Sequence, residues 1–428
     1  MKQILLLCAL IMVFDAHAQV IKRIADRTKR KVENVTGNKI DKAIDNAADG
    51  KNNKQDNNKN AEVSQGNDKN TNASSQTVSG DGTASLQAYS KYDFVPGEKV
   101  IAFENFDRTD IADFPTNWNT NATAEVVTLN NKEGKWLKIS KEGIWHPEFI
   151  TNLPQNFTLE YDIGVNNNWK AGPLALNIAN FSTPEDYKHY YHYVRWRGVH
   201  AVHLDMKPKI VGDGWARIVA GKDGNHSINN DVNFRVWDNK ENNFAHVAIW
   251  RQNQRLRVYI NGEKIYDLPR AFEADGKYNA ITFALPGGYA DQDYFVLSNI
   301  RLASGAADTR NKLVTEGKFV TRGILFDVNS DKIKAESYGT LKDIANVLKE
   351  NPAMKVKIVG HTDADGDDNS NLELSQKRAA SVKAALVTEF AINEDNLQTD
   401  GKGEAEPVDK NNTAEGKANN RRVEFIKI

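Results

Sequence analysis

The chain has 428 residues, enough for about two to four domains of ordinary size. Its 56 basic and 57 acidic residues give a formal net charge of −1, which excludes a uniformly basic nucleic-acid coat and a long acidic tail. The single cysteine, Cys8, lies at the extreme amino terminus. Disulfides and a cysteine nucleophile are therefore not expected in the rest of the chain.

Residues 1–18 have the pattern of a secretory signal peptide. Lys2 precedes an apolar run that ends at a small-x-small cleavage site, Ala16 to Ala18. The run is shorter than the roughly 20 residues that span a bilayer. A lipid-attachment role for Cys8 is disfavoured because Leu7 precedes it. No later stretch is long and apolar enough to predict a transmembrane helix.

The next two segments differ sharply in composition. Residues 19–48 place apolar side chains at a mostly helical spacing with basic residues between them. This pattern fits an amphipathic helix on an anionic surface or on a partner helix. It fits better a solvated, partly frayed helix, which is the interpretation we favour. Residues 49–84 are rich in Asn and have too little apolar surface to offset the entropy of ordering. We predict a disordered linker there.

Residues 90–304 are typical of an all-β domain. Apolar and polar residues alternate from Phe157 to Val165, and Asn261-Gly262 joins two further alternating runs, which is a strong hairpin signal. Many short strands separated by turn residues predict an all-β sandwich or barrel. The runs around Asn261 resemble laminin-G and concanavalin-like sandwiches, and this resemblance implies a jelly-roll-like β-sandwich.

The periodicity changes after Ser304. Residues 315–428 are predicted to form an α+β domain of the βαβαβ type. Apolar helix faces run from Leu341 to Leu348 and from Ala379 to Leu386, and the first helix is closed by Asn351-Pro352. The predicted strands are residues 323–326, 356–359 and 422–428.

Three separated polar motifs follow the predicted strands of this last domain. They are Phe326 to Asp331, Gly360 to Ala379 with His361-Thr362-Asp363 at its start, and Asn420-Arg421-Arg422-Val423-Glu424. Their order and spacing resemble the OmpA-like carboxy-terminal domain shared by outer-membrane protein A, peptidoglycan-associated lipoproteins and MotB. The resemblance implies non-covalent binding of peptidoglycan through diaminopimelate in the stem peptide. Such binding anchors the envelope of a Gram-negative cell to its wall.

The resemblance also implies which residues bind. The side chain of diaminopimelate ends in an ammonium and a carboxylate, so its site needs an anion and a forked cation. Asp363 matches the ammonium-binding carboxylate of the family, and Arg378 matches the guanidinium that bonds a carboxylate bidentately. The N–H groups that open the second helix, near Ser370, are a further candidate contact. Supporting polar positions of the family are matched by Asn329, Asn371 and Arg421.

Calcium binding by the same loops is disfavoured by spacing. Asp327-x-Asn329-x-Asp331 begins like a calcium loop, but Lys332 stands where the turn needs glycine. The run from Asp363 to Asp367 fails likewise, since Asp368 follows it. No metal or cofactor is therefore expected.

An enzymatic interpretation of the sandwich depends on Glu160 and Asp162. They alternate on one strand like half of the acidic pattern of retaining β-glucanases, but Gly164 follows where the second glutamate is needed. Catalysis is not expected, although pairing with a distant Glu remains open. A zinc site is disfavoured because residues three apart on a strand point to opposite faces. The histidines concerned are His189, His192, His200 and His203.

These patterns together predict a periplasmic protein associated with the outer membrane. An envelope partner would contact residues 19–48 or the sandwich, and no nucleic acid is expected. The alternative function is that of a peptidoglycan-targeted protein whose sandwich binds or hydrolyses glycans. A lipid-spanning barrel is disfavoured because residues 90–304 lack a clean lipid-facing alternation.

Overall fold

The computed structural model describes most of the chain from residue 92 onwards, and these residues belong to one compact unit, Gly82–Ile428. The predictions for residues 1–18, 19–48 and 49–84 lie outside the described residues. The described ranges are residues 92–170, 172–189, 200–210, 212–222, 225–238, 242–286, 293–305 and 309–428. None of the helices in these ranges is long and apolar enough to cross a membrane.

Residues 92–305, which we call the two-sheet region, consist mainly of antiparallel strands with a 3₁₀ turn at Pro184–His189. The strands are β1 Lys99–Glu104, β2 Trp118–Thr120, β3 Ala124–Leu129, β4 Lys132–Ile139, β5 Gly143–Pro147, β6 Asn156–Val165, β7 Leu174–Ala179, β8 His200–Lys207, β9 Gly214–Lys222, β10 Asn225–Phe234, β11 Phe244–Gln252, β12 Arg255–Ile260, β13 Glu263–Leu268, β14 Ala280–Leu285 and β15 Phe295–Ser304.

Among the described residues these strands form two sheets around one core. The eight-stranded sheet has the order β13-β12-β11-β6-β15-β4-β3, and β1 pairs with β15 beside this path. The seven-stranded sheet has the order β10-β9-β8-β7-β14-β5-β2. Leu159 of β6 and Leu204 of β8 belong to the same buried hydrophobic cluster. The alternating apolar residues of both sheets therefore point towards each other.

The hairpin predicted at Asn261-Gly262 joins β12 to β13. Both residues have positive φ values, 47° and 80°. A two-residue turn of type I′ requires this left-handed conformation at both positions, which Asn and Gly adopt at the lowest cost. The side-chain amide of Asn261 also donates to the carbonyl of Val236 at 2.7 Å. Local chemistry therefore fixes the register of this strand pair.

Residues 309–428, which we call the carboxy-terminal region, alternate strands and helices. Its sheet has the strand order Lys318–Thr321, Val423–Lys427, Val356–Gly360 and Leu397–Gly401, and the last two strands are parallel. A helical turn at Thr309–Asn311, a π turn at Lys312–Glu316 and 3₁₀ turns at Ala335–Ser337 and Glu394–Asn396 complete the region. The main elements are β16 Lys318–Thr321, α1 Tyr338–Glu350, β17 Val356–Gly360, α2 Asp368–Phe390, β18 Leu397–Gly401, α3 Ala414–Asn420 and β19 Val423–Lys427.

The first strand of this region differs from the sequence prediction. Residues 323–326 were predicted as a strand, but β16 lies at Lys318–Thr321, where Phe319 and Thr321 are buried and pair with β19. The chain has already left the sheet at Gly323. Phe326 makes only an isolated bridge with Ile333, which closes a loop between them.

Part of the outer face of the eight-stranded sheet, around Tyr259 of β12, is covered. Tyr92 and Phe94 form a buried cluster with Tyr259 of β12, and Tyr338 at the start of α1 packs against it. Gly339 follows Tyr338 and lies so close to this segment that an added Cβ would stand 2.1 Å from the carbonyl oxygen of Phe94. The contact between the two regions is therefore close-packed.

Candidate ligand-binding site

Loops at the carboxyl ends of the parallel strands β17 and β18 form the candidate site. The loop that follows β17 enters α2, and the loop that follows β18 lies beside it, because the N–H of Thr362 donates to the carbonyl of Gly403 at 2.9 Å. An added Cβ on Gly360 would lie 2.3 Å from the carbonyl oxygen of Ser375, so α2 approaches the strand end more closely than any side chain permits. This approach places residues of α2 next to the loop.

Asp363 is held in the first of these loops and is only 8% exposed. One carboxylate oxygen accepts the N–H of Asp365 at 3.2 Å. The other pairs with the guanidinium of Arg421, whose side chain is 39% exposed. The fold therefore brings both residues, which the sequence analysis singled out, to one surface. The ion pair between them was not foreseen.

Arg378 on α2 lies within electrostatic reach of Asp363 and Arg421. Its Nε donates to the carbonyl of Ser330 at 3.0 Å, and its guanidinium lies 4.9 Å from the ring centroid of Phe326. Burial lowers the pKa of Arg378, the charge of Arg421 lowers it further, and Asp363 opposes both effects. Arg378 remains a cation at neutral pH because the ordinary pKa of arginine lies far above neutrality. Its two terminal nitrogens have no hydrogen-bond partner among the described residues.

Asn371 supports the loop from beneath. It is 6% exposed, and its amide nitrogen donates to the carbonyls of Asp363 and Asp365 at 3.3 and 3.1 Å. The same nitrogen lies 2.5 Å from the carboxylate of Glu404. Asn371 therefore fixes the loop backbone that carries Asp363 through these hydrogen bonds.

Asn329 lies at the tip of the loop between Phe326 and Ile333. It is exposed and has a φ of 50°, a left-handed conformation that Asn tolerates. The next residue, Ser330, supplies the carbonyl that accepts from Arg378. Asn329 is thus brought to the edge of the site through its neighbour.

One expected contact is wrong. The N–H groups at the start of α2 are not open to a ligand, because the helix cap Asp367 already satisfies them. Its carboxylate accepts from the N–H groups of Asn369 and Ser370 at 3.0 and 3.1 Å, and its carbonyl accepts from Asn371 at 2.8 Å. An acidic N-cap fulfils the capping requirement before any ligand arrives.

Sequence reasoning missed two contributors to the site. The amide of Asn420 accepts from the N–H groups of Val408 and Asp409 and donates to Asn411 at 2.8 Å, which fixes the loop before α3. The sequence signal for Asn420 is its position beside Arg421 in the third polar motif. Phe103 of β1 lies 5.7 Å from the guanidinium of Arg421, measured to the ring centroid. Nothing local in the sequence marks that residue.

His361 precedes the site and is neutral. It is buried, and its Nε2 lies 3.6 Å from a carboxylate oxygen of Glu424. Burial lowers the pKa of His361 to about 4, and the charge of Arg422 acts in the same direction. Its ring therefore adds no charge to the ligand surface at neutral pH.

The acidic pair on β6 lies on the outer face of the eight-stranded sheet and is fully engaged. Glu160 is 3% exposed and pairs with Arg301. Asp162 accepts from His246 Nδ1 at 2.8 Å and from Asn299 at 2.7 Å. Burial lowers the pKa of His246, but the hydrogen bonds and charges of Asp162 and Glu160 outweigh burial and raise it to about 10.

This cluster has the wrong charge state for glycoside hydrolysis. Burial raises the pKa of Glu160, but Arg301 and His246 outweigh burial and hold that pKa below its usual value. A general acid in a glycosidase needs a raised pKa. The arrangement therefore favours internal charge pairing over catalysis.

The four histidines singled out in the sequence are only partly described. His192 lies outside the described residues. His203 contacts Asn177 at 2.6 Å and Asp205 at 3.0 Å. Within the described ranges, no group of three or more His, Cys, Asp or Glu residues is arranged to hold a metal ion.

Comparison with known proteins finds a family match inside the carboxy-terminal region. A family model described as "OmpA family" matches residues 325–421. The probable lipoprotein YiaD of Escherichia coli K12 is 40% identical over 130 residues, which are 28% of this chain and 59% of that protein. Outer membrane porin F of Pseudomonas aeruginosa is 40% identical over 111 residues, 26% of this chain and 32% of that protein.

A solved structure gives a match of similar extent. The peptidoglycan-associated lipoprotein from Burkholderia pseudomallei is 26% identical, and the match covers 28% of this chain and all of that one, with a TM-score of 0.24. The chain thus spans less than two thirds of each of the two sequence relatives named above.

Proposed function

We propose that this chain, whose residues 325–421 form an OmpA family domain, binds peptidoglycan non-covalently and ties the cell envelope to the cell wall. The relatives named as outer-membrane and peptidoglycan-associated proteins support this role. No catalytic step is part of it. The observation that carries the proposal is the free fork of Arg378 on the same surface as Asp363.

The ligand we propose is the diaminopimelate of the stem peptide. The charges of Asp363 and Arg421 both act on the pKa of Arg378, so the three groups lie within electrostatic reach of one another. One carboxylate and two guanidiniums leave an excess of positive charge. A side chain that brings a carboxylate to Arg378 and an ammonium to Asp363 matches this pattern.

The ion pair with Arg421 leaves room for the ligand ammonium. A carboxylate offers about four lone-pair positions, and Asp363 uses two of them for Arg421 and the N–H of Asp365. The ammonium therefore joins the pair without displacing Arg421. In this arrangement Arg421 keeps Asp363 oriented towards the ligand.

Binding to purified sacculi that contain diaminopimelate tests the proposal. Asp363→Asn and Arg378→Gln should both weaken binding by at least about 10-fold, the equivalent of one charge-assisted hydrogen bond. Lys377→Gln on the exposed side of α2 and Asp395→Asn in the exposed 3₁₀ turn at Glu394–Asn396 are matched controls. Binding of both site variants at the level of the parent chain would overturn the site assignment.

Ligand specificity is tested with peptidoglycan whose stem carries lysine. Lysine keeps the ammonium but lacks the terminal carboxylate, so the parent chain should bind it more weakly. The Arg378→Gln variant should bind both wall types alike. Equal binding of the two walls by the parent chain contradicts recognition of diaminopimelate.

We further infer that the two-sheet region is a jelly-roll sandwich of the laminin-G or concanavalin type. A groove of about 840 Å³ supports glycan binding as its second function. Its lining includes Asp162, His246 and Asn299 from the sheet and Lys334 and Glu336 from the carboxy-terminal region. Such hydrogen-bonding groups suit a hydroxyl-rich ligand. Incubation with cell-wall and other glycans separates binding from hydrolysis, because only hydrolysis releases soluble sugar.

Export by a signal at residues 1–18, with attachment to the outer membrane through residues 19–48 or the two-sheet region, completes the proposal. Fractionation of the native cell tests this location. The protein should sediment with outer membrane or sacculi, and recovery in the cytoplasm would contradict it.

A further inference from the structure

The edge of β1 lies against the element that precedes Arg421. β1 pairs with β15 on one side, and Asn419 of α3 meets it on the other. The amide of Asn419 accepts from the N–H of Val100 and donates to its carbonyl, both at 3.0 Å. The chain that enters the ligand site after α3 is therefore attached to the two-sheet region.

Arg421 lies between one residue from each region. Its guanidinium pairs with Asp363 and lies 5.7 Å from the ring centroid of Phe103 on β1. Phe103 is half-buried, and it belongs to none of the hydrophobic clusters formed by the described residues. Its ring thus faces the guanidinium instead of the core of its own region.

A second contact joins the same two surfaces. Nη2 of Arg108 lies 2.5 Å from the carbonyl oxygen of Asn412. The neighbouring Asn411 accepts from the N–H of Ala364 at 3.3 Å. The two-sheet region therefore also reaches the loop that holds the backbone next to Asp363.

We propose that Phe103 is a positioning residue for the peptidoglycan site, which is built from both regions of the chain. Arg421 has a long side chain whose free rotation opposes a fixed ion pair. A ring beneath the guanidinium restricts it by a cation–π contact and keeps it on Asp363. The remaining lone pairs of Asp363 then face the same side as the fork of Arg378. This inference rests on the proposed function.

The test measures binding of the full chain to sacculi that contain diaminopimelate. Phe103→Leu keeps apolar volume and removes the ring, and it should weaken binding about two- to five-fold. Phe103→Tyr keeps the ring and should bind like the parent. Phe114→Leu is the matched control, because Phe114 is also half-buried but packs on the core of the two-sheet region.

A double-mutant cycle separates positioning from general loss of structure. Once Arg421→Gln has removed the guanidinium, Phe103→Leu should cause no further loss of binding. A purely structural effect of Phe103 would persist in that background and would overturn the proposal. Parent-like binding by Phe103→Leu, or an equal loss in the Leu and Tyr variants, would also overturn it.

Arg378→Gln in the same assay distinguishes failure of the peptidoglycan site from failure of the role of Phe103. If this variant binds sacculi as the parent does, the peptidoglycan site itself is wrong. If Arg378→Gln loses binding while Phe103→Leu binds like the parent, the site assignment is supported and the positioning role of Phe103 is wrong.

Discussion

Asn419 makes both of its hydrogen bonds to β1 with a single residue, Val100. A neighbouring strand would offer Val100 one backbone C=O and one N–H. The side-chain amide of Asn419 offers the same pair of groups, so it replaces a strand at that point. Asn419 is only 2% exposed, and it also donates to Asp409 at 2.9 Å. One buried side chain thereby links the two-sheet region, α3 and the loop beside the ligand site.

Replacement of Asn419 by Ala should destabilise the chain. The change leaves the buried N–H and C=O of Val100 without partners, which costs about 1–3 kcal/mol for each such group. Chemical denaturation should show a free energy of unfolding that is lower than that of the parent by at least the cost of one such group. Asn412→Ala is the control in the preceding loop, where the side chain is exposed, and should change stability by less than about 0.5 kcal/mol.

Gly339→Ala should destabilise the chain although alanine is the better helix former. In an open helix the change stabilises by about 1 kcal/mol. Here the new Cβ would lie 2.1 Å from the carbonyl oxygen of Phe94, so the two regions must separate or distort. Thermal denaturation should give a lower Tm. Asn346→Ala on the exposed side of the same helix is the control and should raise the Tm slightly. A higher Tm for Gly339→Ala would contradict close packing of Gly339 against Phe94.

His246 should remain protonated through the neutral range. Its folded pKa of about 10 exceeds the usual 6.5, so its contribution to stability is fully present below pH 6.5 and is lost as the pH rises towards 10. NMR titration of the ring should show no change between pH 6 and 8. A ring that titrates near pH 6.5 would contradict the paired arrangement.

His246→Gln should cost about 3 kcal/mol or more, because it leaves Glu160 and Asp162 buried with less opposing charge. The free energy of unfolding of this variant should also depend less on pH between 6.5 and 10 than that of the parent. Parallel pH profiles would argue against His246 as the titrating group.

Arg378→Lys should weaken binding to sacculi by about 10-fold although it conserves the charge. An ammonium is a single point and cannot form the two parallel bonds of a guanidinium. Its single nitrogen would also have to serve both the carbonyl of Ser330 and the ligand carboxylate, which Arg378 bonds with separate nitrogens. Lys377→Arg next to it is the control, since that side chain pairs only with Glu373 among the described residues. Undiminished binding by Arg378→Lys would exclude a bidentate contact.

The sequence predicted the elements whose own residues carry the signal. Strand β6 and the Asn261-Gly262 hairpin follow from alternation and turn chemistry, and both are present. β18 was missed because Leu397–Gly401 has one apolar side chain, and α3 was missed because Ala414–Asn420 is short and polar. Both elements form because their neighbours hold them, which a local pattern does not record.

The residues of the candidate site also divide into those that a local motif identifies and those that only the fold reveals. Asp363, Arg378 and Arg421 were identified by motif, and the fold brings them to one surface. Phe103 was not identified, because its contact with Arg421 joins residues more than three hundred positions apart. Glu160 resembled a catalytic acid because the sequence does not reveal its partner Arg301, which lies on a neighbouring strand.

The amide bridge to Val100 also bears on solubility. An unpaired strand edge is a template on which other chains add strands, and proteins block such edges with bulges, charges or covering elements. β1 carries a register irregularity between Val100 and Ala102, and Asn419 occupies its outer side there. If the two regions were separated, the two-sheet region would expose an edge suited to self-association. The joint between the two regions therefore also covers this edge of the sheet.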